Sequence, residues 1–569
     1  MNKKRKRKFK WPFIVLVILV IALIAFLGKK GYDFYLASLI DPTSDAYLGS
    51  IDYKIKTYDL ETFKENGEIT RGTKVVLYEK QVKQIDKKNP KKKDDDVEII
   101  YRKIKYNEKD YLVKPEYIVN TYEESVKEKE KYIRTSSTIY AEPDDVTIKS
   151  FLKKGTKVEL AGFDTILDSG KVNMYKIKLN DTDFGYIYEK YLVDTEESAK
   201  AMYNENGVYD KHKGRKFSYE LYGGYAANLD YYPYEHPAFE DNAFVDNAKT
   251  YYLNGSPYIL NAVDKYISLG KQAGATAFVV DIKDGALAYK SPLAQKLSPS
   301  SYNTAMGNVE AYKAAVDKIK AAGFYVIGRI VTFNDTQYAK DNPNECIAGT
   351  TWVSAYSRKA WEFNVRLALE AIDLFGFNEI QYDYVRFPEA SYRYSKNGKD
   401  FRNVYNEEKA QAIQAFLMYA ADEIHKKHVY LSADVFGECA STYVTAYGQY
   451  WPAISNIVDV ISGMPYPDHF AKGSYGLSIP WQHPYNLMLA WGKEAAARQN
   501  EIPTPAHVRT WIQAYNAIHE PKINYGANEL RSQVKGLYDS GLKGGFITWN
   551  GNSVYNKYAE IAPGFSGVY

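Results

Sequence analysis

Aspartates end or interrupt three short apolar segments of the kind that form buried β-strands. Asp281 and Asp284 end the first segment, Asp383 lies in the second and Asp434 in the third. Hydrolysis of a glycosidic bond needs two carboxyl groups beside the anomeric carbon, one ionised as nucleophile or base and one protonated as acid. A single aspartate at a strand end can instead be a helix N-cap. Three such sites are harder to explain as helix caps. A carboxylate that loses its hydration in a cleft costs free energy unless another group pairs with it.

Side chains that could hold a sugar lie at the ends of the same and neighbouring segments. Arginine and amide groups fix sugar hydroxyls, and aromatic rings stack on sugar faces. Asp281 and Asp284 would bind hydroxyls or tune the pKa of a catalytic pair, while Arg329 and Arg386 would hold carboxylates ionised or contact an acidic sugar. The aromatic residues have a second interpretation, as core of the fold. The predicted substrate-binding set is Asp281, Asp284, Arg329, Gln381, Tyr384, Arg386, Glu438, Tyr466, Trp511, Gln513, Trp549 and Asn550.

Two other hydrolytic chemistries lack the residues they need. A zinc ion is bound by clustered histidine, cysteine or carboxylate ligands. Of the eight histidines, only His425 and His428 are spaced i, i+3, and they end a predicted helix away from the acids. A metal-dependent polysaccharide deacetylase is excluded for the same reason. A serine nucleophile in a G-x-S-x-G context is also absent, so we predict no metal and no cofactor.

The scaffold for these acids is a regular alternation of strand-like and helix-like segments that begins near residue 249. Alternation of this kind predicts a parallel sheet, and eight units in about 300 residues predict a closed (β/α)8 TIM barrel. An open doubly wound sheet is the alternative, but its G-x-G-x-x-G fingerprint is absent. The predicted strands are Thr250–Leu253, Thr276–Ile282, Phe324–Phe333, Glu379–Phe387, Val429–Phe436, Val458–Met464, His507–Tyr515 and Gly544–Trp549. The clearest predicted helices are Ile259–Ala273, Val309–Ala322, Lys359–Leu374, Glu407–His425 and Asn528–Ser540.

In such a barrel, the active site lies at the C-terminal ends of the strands, so the acids should converge on one rim. Because alternate residues of a strand share a face, Gln381 would lie beneath Asp383, and Ser432 would share a face with Asp434. We predict Asp383 and Asp434, on the neighbouring strands 4 and 5, as the catalytic pair.

The N-terminal half contains an internal repeat. Arg71–Leu77 matches Lys154–Leu160, and Tyr111–Val119 matches Tyr186–Val193 in the same order. Short alternating runs with glycine turns are typical of small β units. The order of these runs resembles bacterial SH3-like domains, which often contact cell-wall polymers, and the second copy is the better match. A rigid spacer is an equal alternative.

The first thirty residues predict a membrane anchor. A basic segment at 1–10 precedes an apolar run from Trp11 to Leu27, which is near the lower length limit for a bilayer-spanning helix. The basic flank should stay in the cytoplasm, which would place the rest of the chain outside the cell. A cleaved signal peptide is the alternative, but no A-x-A-like site closely follows Leu27.

Composition excludes several further classes. Of the 569 residues, 45% are hydrophobic and 25% charged, which is ordinary for globular protein. The net charge is +4, and residues 1–10 hold seven basic residues and no acid, so the remainder carries −3. A nucleic-acid binder would carry its basic excess in the folded part, so no nucleic-acid partner is predicted. Two cysteines, Cys346 and Cys439, are too few for a disulfide scaffold.

These observations predict the domain order of the whole chain. They give a basic cytoplasmic tail at 1–10, a transmembrane helix at 11–27, a stalk at 28–50, a divergent SH3-like domain at 51–121, a second one at 130–195, a linker packing on the barrel at 196–248 and the barrel at 249–562.

Four motifs on the predicted strands resemble a family of extracytoplasmic TIM barrels regarded as glycoside hydrolases and distantly related to α-amylase-like retaining enzymes. The resemblance covers about residues 249–562. It implies that Asp383 is the strand-4 nucleophile and that strand 5 supplies the acid/base, either Asp434 or Glu438. Gln381 stands where the α-amylase pattern has arginine, which leaves the anomeric class open. The motifs are Asp281–Asp284, Gln381–Pro388, Ser432–Gly437 and Trp511–Gln513.

The sequence therefore predicts a membrane-anchored, extracytoplasmic glycoside hydrolase that acts on a cell-envelope or extracellular polysaccharide, with a retaining mechanism. The alternative is a non-catalytic wall-polysaccharide binder or scaffold, built from the SH3-like pair and a degenerate barrel. The two hypotheses differ in whether sugar is released and whether that release depends on Asp383.

Overall fold

The computed structural model describes residues 26–30, 41, 43–50, 54–87, 96–126, 130–165, 167, 171–200, 234–441, 444–500, 502 and 504–566. A search of these residues finds no helix that combines the length and the apolar character of a membrane span. The anchor predicted at 11–27 lies almost entirely outside them, as does most of the linker predicted at 196–248. The described residues form two compact units. The first comprises those within 1–130 and 159–165, and the second those within 131–158 and 166–569.

The N-terminal half contains two all-β antiparallel sheets, each of seven strands. Their strands are β1 (Thr43–Leu48), β2 (Lys54–Tyr58), β3 (Glu65–Thr70), β4 (Lys74–Lys87), β5 (Asp96–Tyr106), β6 (Lys109–Val113), β7 (Ile118–Val119), β8 (Glu130–Ile133), β9 (Ser137–Tyr140), β10 (Ile148–Leu152), β11 (Lys157–Phe163), β12 (Met174–Lys178), β13 (Phe184–Tyr188) and β14 (Leu192–Val193). The strand orders are β3-β2-β6-β5-β4-β1-β7 and β10-β9-β13-β12-β11-β8-β14. The second sheet thus repeats the first strand for strand, as the internal repeat predicts, while the assignment to the SH3-like class stays a prediction.

The first sheet begins at Thr43, whereas the sequence predicts that its domain starts at residue 51. β1 pairs antiparallel with β4 and β7, with Thr43 opposite Tyr78 and Tyr47 opposite Val119. Residues 43–48 therefore belong to the sheet, not to the stalk predicted at 28–50. Their signal in the sequence is weak because the strand is short and begins with three exposed polar residues.

The second unit contains a parallel sheet that curves into a nearly closed barrel. Its order is β22-β21-β20-β19-β18-β16-β15-β24-β23, with bounds β15 (Ala248–Leu253), β16 (Ala277–Asp284), β18 (Tyr325–Val331), β19 (Glu379–Asp383), β20 (Tyr430–Phe436), β21 (Val460–Met464), β22 (His507–Val508), β23 (Thr510–Gln513) and β24 (Gly545–Trp549). The two ends of this order, β22 and β23, are halves of one strand separated by Arg509, so the sheet returns to itself. A short β17 (Ala286–Leu287) pairs antiparallel with the end of β16. Each of the eight predicted strand segments forms a strand.

Helices alternate with these strands along the chain. The longest, α9, begins after Ser357, whose side chain accepts a hydrogen bond from the Ala360 backbone N–H, and ends at Gly376 in the left-handed region at φ 63°. The helices are α1 (Tyr122–Val126), α2 (Glu196–Lys200), α3 (Pro257–Leu260), α4 (Val263–Ala273), α5 (Pro292–Leu297), α6 (Pro299–Asn303), α7 (Val309–Ala321), α8 (Thr336–Asp341), α9 (Arg358–Phe375), α10 (Ser391–Lys396), α11 (Lys409–His425), α12 (Trp451–Ser455), α13 (Pro484–Gln499), α14 (Ala527–Asp539) and α15 (Tyr555–Ile561).

Residues 234–247 pack under the barrel, against the N-terminal ends of its strands. The Phe239 ring lies 5.0 Å from the ring of Tyr430, at the start of β20. The Asn242 side-chain amide donates a hydrogen bond of 2.8 Å to the backbone carbonyl of Asn378, just before β19. The described part of the predicted linker therefore closes the end of the barrel opposite the acids.

The second small sheet is packed against the barrel helices α9 and α11. Tyr191 donates hydrogen bonds of 3.0 and 2.9 Å to the two carboxylate oxygens of Asp422 on α11, and Lys190 pairs with the same carboxylate at 2.5 Å. From α9, Arg366 donates a hydrogen bond of 3.0 Å to Asp145. These bonds join the segments that follow β9 and β13 to helices of the barrel.

A buried carboxylate near the base of the barrel joins two histidines. Asp459 Oδ1 lies 3.2 Å from His236 Nδ1, and its Oδ2 lies 2.7 Å from His425 Nε2. The Leu431 backbone N–H donates a hydrogen bond of 2.8 Å to the same Oδ2. Burial by itself would raise the pKa of Asp459, but His425, His236 and the Leu431 N–H outweigh burial and lower that pKa to about 2.

We expect Asp459 to make the free energy of unfolding depend on pH in acid. Its folded-state pKa lies below the ordinary value of 3.8, so the carboxylate stabilises the fold above about pH 4, and this contribution is lost as the pH falls towards 2. The shift corresponds to about 2 kcal/mol. Denaturant titrations of the native protein and of Asp459→Asn should differ by about 2 kcal/mol less near pH 2 than near pH 5. A difference that stays constant with pH would contradict this expectation.

Candidate functional site

One arginine joins carboxylates from three strands at the C-terminal rim of the barrel. Arg329 of β18 donates hydrogen bonds from Nη1 to Asp281 at 2.7 Å and to Asp284 at 3.1 Å, and from Nη2 to Asp383 at 2.6 Å. Its Nε lies 3.8 Å from Oδ2 of Asp434 on β20. The arginine is only 1% exposed. Four carboxyl groups thus lie around one buried cation, and this crowding of like charges favours protonation of those that are most deeply buried.

Asp281 is one of the carboxyl groups held in this cluster. Burial raises the pKa of Asp281 to about 6, although the Arg329 guanidinium opposes the shift; the neighbouring charge of Asp284 adds to it. The Tyr252 hydroxyl donates a hydrogen bond to Asp281 Oδ2. Asp281 therefore changes its protonation state just below neutral pH.

Asp434 is the most deeply buried of the four, with no exposed surface. Burial, together with the nearby charge of Asp383, raises the pKa of Asp434 well above its usual range, although Arg329 and a hydrogen bond from Trp511 act in the opposite direction. Trp511 Nε1 donates that bond to Oδ1 at 2.7 Å. Oδ2 has no hydrogen-bond partner. Burial therefore favours the protonated form of the Asp434 carboxyl group.

Asp383 ends β19, where the chain turns sharply. Its Oδ2 accepts the hydrogen bond from Arg329, and its Oδ1 accepts one of 2.6 Å from the backbone N–H of Tyr384. Tyr384 has a backbone φ of 50°, which residues other than glycine rarely adopt. This conformation places the Tyr384 N–H against the Asp383 carboxylate. Both donors stabilise a carboxylate anion. The turn after β19 therefore presents the Asp383 carboxyl group, with both oxygens hydrogen-bonded, in the lining of a cavity.

The cavity above Asp383 is small and largely aromatic. Its volume is about 190 Å³, less than the 300–1,000 Å³ of a typical drug-sized site, which suits a single small ring. A second, open groove of about 600 Å³ shares part of its wall. The residues common to both spaces are Tyr384, Arg386, Phe436, Met464 and His469. A chain of rings could therefore extend from the cavity into the groove.

The structure divides the fourteen predicted site residues into four groups. Those that line the cavity are Asp284, Arg329, Asp383, Tyr384, Arg386, Tyr466, Trp511 and Trp549. Glu438 lines only the groove. Asp281 and Asp434 are buried against Arg329 and do not line the cavity. The remaining three bond to neighbouring protein groups: Gln381 to Ser462, Gln513 to Tyr515 and Asn550 to Val554.

Four residues of the site are absent from the predicted set. Phe436, Met464 and His469 line the cavity, and Tyr252 hydrogen-bonds to Asp281 beneath it. Their position at the ends of β15, β20 and β21 was a usable signal, because every residue at a strand's C-terminal end is a candidate for the rim. Residue type argued against Phe436 and Met464, since their side chains carry no group that performs hydrolysis.

Comparisons with solved structures give low overall similarity. A hypothetical protein from Ruminiclostridium thermocellum ATCC 27405 is 28% identical over 32% of this chain and 96% of its own, with a TM-score of 0.27. The PgaB (BpsB) glycoside hydrolase domain from Bordetella bronchiseptica is 14% identical over 57% of this chain and 99% of its own, with a TM-score of 0.40. The spore cortex-lytic enzyme SleL from Bacillus cereus is 12% identical over 56% and 75%, with a TM-score of 0.34.

Sequence comparison identifies the barrel more firmly. A search of curated proteins gives no match. The family model DUF4015, described as "Putative glycosyl hydrolase domain", matches residues 251–555, more than half of the chain and all of the acid cluster. The chain belongs to the DUF4015 family of glycosyl hydrolase domains.

Proposed function

We propose that this chain is a glycoside hydrolase that cleaves a polysaccharide of the cell envelope or its surroundings, with Asp383 acting at the anomeric carbon. One observation carries the proposal. Asp383 lines an aromatic cavity and accepts hydrogen bonds from two donors, and burial raises the pKa of the nearby Asp434 well above its usual range. An ionised and a protonated carboxyl group side by side are what glycosidic hydrolysis requires. Membership of the DUF4015 family supports the same reaction class.

The proposed reaction is a two-step displacement with retention of configuration. Asp383 attacks the anomeric carbon as the glycosidic C–O bond breaks and the leaving oxygen takes a proton from the acid residue. The product of this step is a covalent glycosyl ester of Asp383. The same acid residue, now a carboxylate, takes a proton from water, which attacks the anomeric carbon and frees both Asp383 and the sugar. Arg329 holds Asp383 in place through both steps.

Two carboxyl groups of the strand-5 segment are candidates for the proton donor. Burial raises the pKa of Asp434, which favours its protonated form, but Asp434 has no exposed surface and does not line the cavity. Glu438 is exposed in the groove, where a leaving group would lie, and accepts a hydrogen bond from Tyr447. We assign the role first to Asp434 because of its raised pKa, with Glu438 as the alternative because of its access to the groove.

Aromatic side chains form the walls that would hold the sugar. Trp511, Trp549 and Tyr466 all line the cavity. The Trp511 and Trp549 rings lie 5.5 Å apart at 85°, so they present two perpendicular surfaces. Because its indole N–H is bound to Asp434, Trp511 is fixed in orientation before a substrate enters. These walls suit the apolar faces of a sugar ring.

A non-catalytic polysaccharide binder is the second candidate function. It is favoured by one observation, the absence of Asp434 from the residues that line the cavity. In that case the aromatic cavity would bind a glycan without cleaving it. The two small sheets would contact wall polymers or act as spacers, which is the role that their resemblance to SH3-like domains suggests.

We also propose that the protein is anchored in the cell membrane with its barrel outside the cell. The support is the sequence alone, in which seven basic residues precede the apolar run from Trp11 to Leu27. An extracytoplasmic barrel would meet envelope polysaccharides directly.

The proposal is tested by measuring sugar release from purified envelope polysaccharides with the full-length protein in detergent. We expect new reducing ends, and the first product observed by NMR should keep the anomeric configuration of the substrate. Polymer bound without any released sugar would favour the binder. Glu438→Gln and Asp434→Asn then separate the two candidate acids, because loss of the acid slows natural glycosides far more than aryl glycosides with good leaving groups.

A further inference from the structure

Arg386 is a buried cation whose acidic partner is exposed to solvent. The arginine is 4% exposed; its Nη1 donates a hydrogen bond of 3.0 Å to the Phe387 carbonyl, and its Nη2 one of 3.1 Å to Glu389. The Glu389 side chain is 69% exposed. An ion pair with one partner in water adds little to the free energy of unfolding, and water readily replaces that partner. The charge of Arg386 is therefore only weakly balanced within the protein.

Two other buried arginines of the barrel differ in this respect. Arg329 has three carboxylate partners within hydrogen-bond distance. Arg509 donates hydrogen bonds of 2.8 and 2.9 Å to Glu379, and both side chains are fully buried. A buried charge is costly unless it is paired. Of these three arginines, Arg386 is the one that an anion from outside could pair with most easily.

The surroundings of Arg386 hold its guanidinium at the place where cavity and groove meet. Rings lie around its central carbon, with centroid distances of 4.4 Å for Phe436, 4.9 Å for Tyr384, 5.1 Å for Trp352 and 5.6 Å for Tyr447. Arg386 lines both the cavity and the groove. A guanidinium fixed by packing loses little conformational entropy when it binds a ligand.

We propose that Arg386 selects polysaccharides that carry an anionic group, a carboxylate or a phosphate, on the sugar bound at the junction of cavity and groove. The inference rests on the proposed function, because it assigns the substrate class of the same site. The anion would replace the Glu389 carboxylate as the acceptor from Arg386 Nη2. Glu389 would then turn away into solvent, to which most of its side chain is already exposed. A planar fork of donors suits carboxylate and phosphate oxygens better than a neutral hydroxyl.

The test measures binding rather than turnover, so that it stands apart from the catalytic proposal. Full-length Asp383→Asn protein is titrated onto immobilised wall polysaccharide of a Gram-positive bacterium. The polymer is used untreated, carboxyl-reduced, or stripped of phosphodiesters with hydrofluoric acid. We expect one of the two treatments to weaken binding at least about 10-fold, and this identifies the anion as carboxylate or phosphate. Equal binding to all three forms, or binding to none, would overturn the inference.

Variants of the same background assign the effect to Arg386. Adding Arg386→Gln should weaken binding to untreated polymer about 10-fold and leave binding to the charge-depleted polymer unchanged. Glu389→Gln should preserve or strengthen binding, and Arg393→Gln on the exposed face of α10 is the matched control. An equal loss for Arg386→Gln on every form of the polymer would show a structural role instead. Selective binding without hydrolysis by the native protein would contradict only the catalytic proposal.

Discussion

Replacement of Asp383 by asparagine is expected to lower sugar release at least about 1,000-fold, because the attacking carboxylate is lost. Folding should be preserved. The amide has the shape of the carboxylate, and Arg329 keeps its hydrogen bonds to Asp281 and Asp284. The measurement is the initial rate of reducing-end release, with the unfolding midpoint recorded on the same preparations. Sugar release at more than a tenth of the native rate would remove Asp383 from the mechanism.

The matched control for this variant is an Asp→Asn change outside the rim. Asp317 pairs with Lys313 on an exposed face of α7, with half of its side chain in solvent. Asp317→Asn should therefore keep native activity within about 2-fold and native stability within about 0.5 kcal/mol. If both variants lost activity together, the cause would be the preparation or the fold, not the chemistry of Asp383.

The barrel was predictable because its signal is repeated eight times along the chain. The strands contain buried apolar runs such as residues 277–280, and helices such as α4 have a clear apolar stripe. The end of a parallel strand also has a fixed place in the fold, so Asp284 and Asp383 could be assigned to one rim from the sequence. Periodicity failed for β1 because Thr43–Leu48 is short and begins with polar residues.

The electrostatic centre of the site was predictable in kind but not in geometry. The sequence places Arg329 on the third strand, but it does not show that one guanidinium spans Asp281, Asp284 and Asp383. That arrangement depends on the curvature of the sheet and on the rotamer of a long side chain. The order of apolar and polar residues along the chain predicts neither the curvature nor the rotamer.

Burial depth was the second property that the sequence could not supply. Asp383 and Asp434 occupy similar places at the ends of neighbouring strands, yet only Asp383 lines the cavity. Asp434 is fully buried, and the Trp511 indole N–H binds it. Gln381, Gln513 and Asn550 are likewise bound to protein neighbours. Alternation along a strand predicts which face a residue occupies, but not how far from the rim its side chain ends.

The largest stability loss is expected from breaking the buried ion pair between Arg509 and Glu379 inside the barrel. Both side chains are fully buried, and two hydrogen bonds of 2.8 and 2.9 Å join them. The Tyr325 hydroxyl donates a third, of 3.1 Å, to Glu379. Arg509→Met would leave a carboxylate buried without its cation, which costs about 3–5 kcal/mol. Denaturant unfolding at neutral pH measures this loss directly.

A double variant separates the charge from the packing. Arg509→Met combined with Glu379→Gln removes both charges and keeps side chains of similar length, so most of the lost stability should return. Lys313→Met, which breaks the exposed pair with Asp317, should change the free energy of unfolding by less than about 1 kcal/mol. If the double variant were as unstable as Arg509→Met, the loss would come from packing around the interrupted strand at residue 509. The unpaired charge of Glu379 would then not be the cause of the loss.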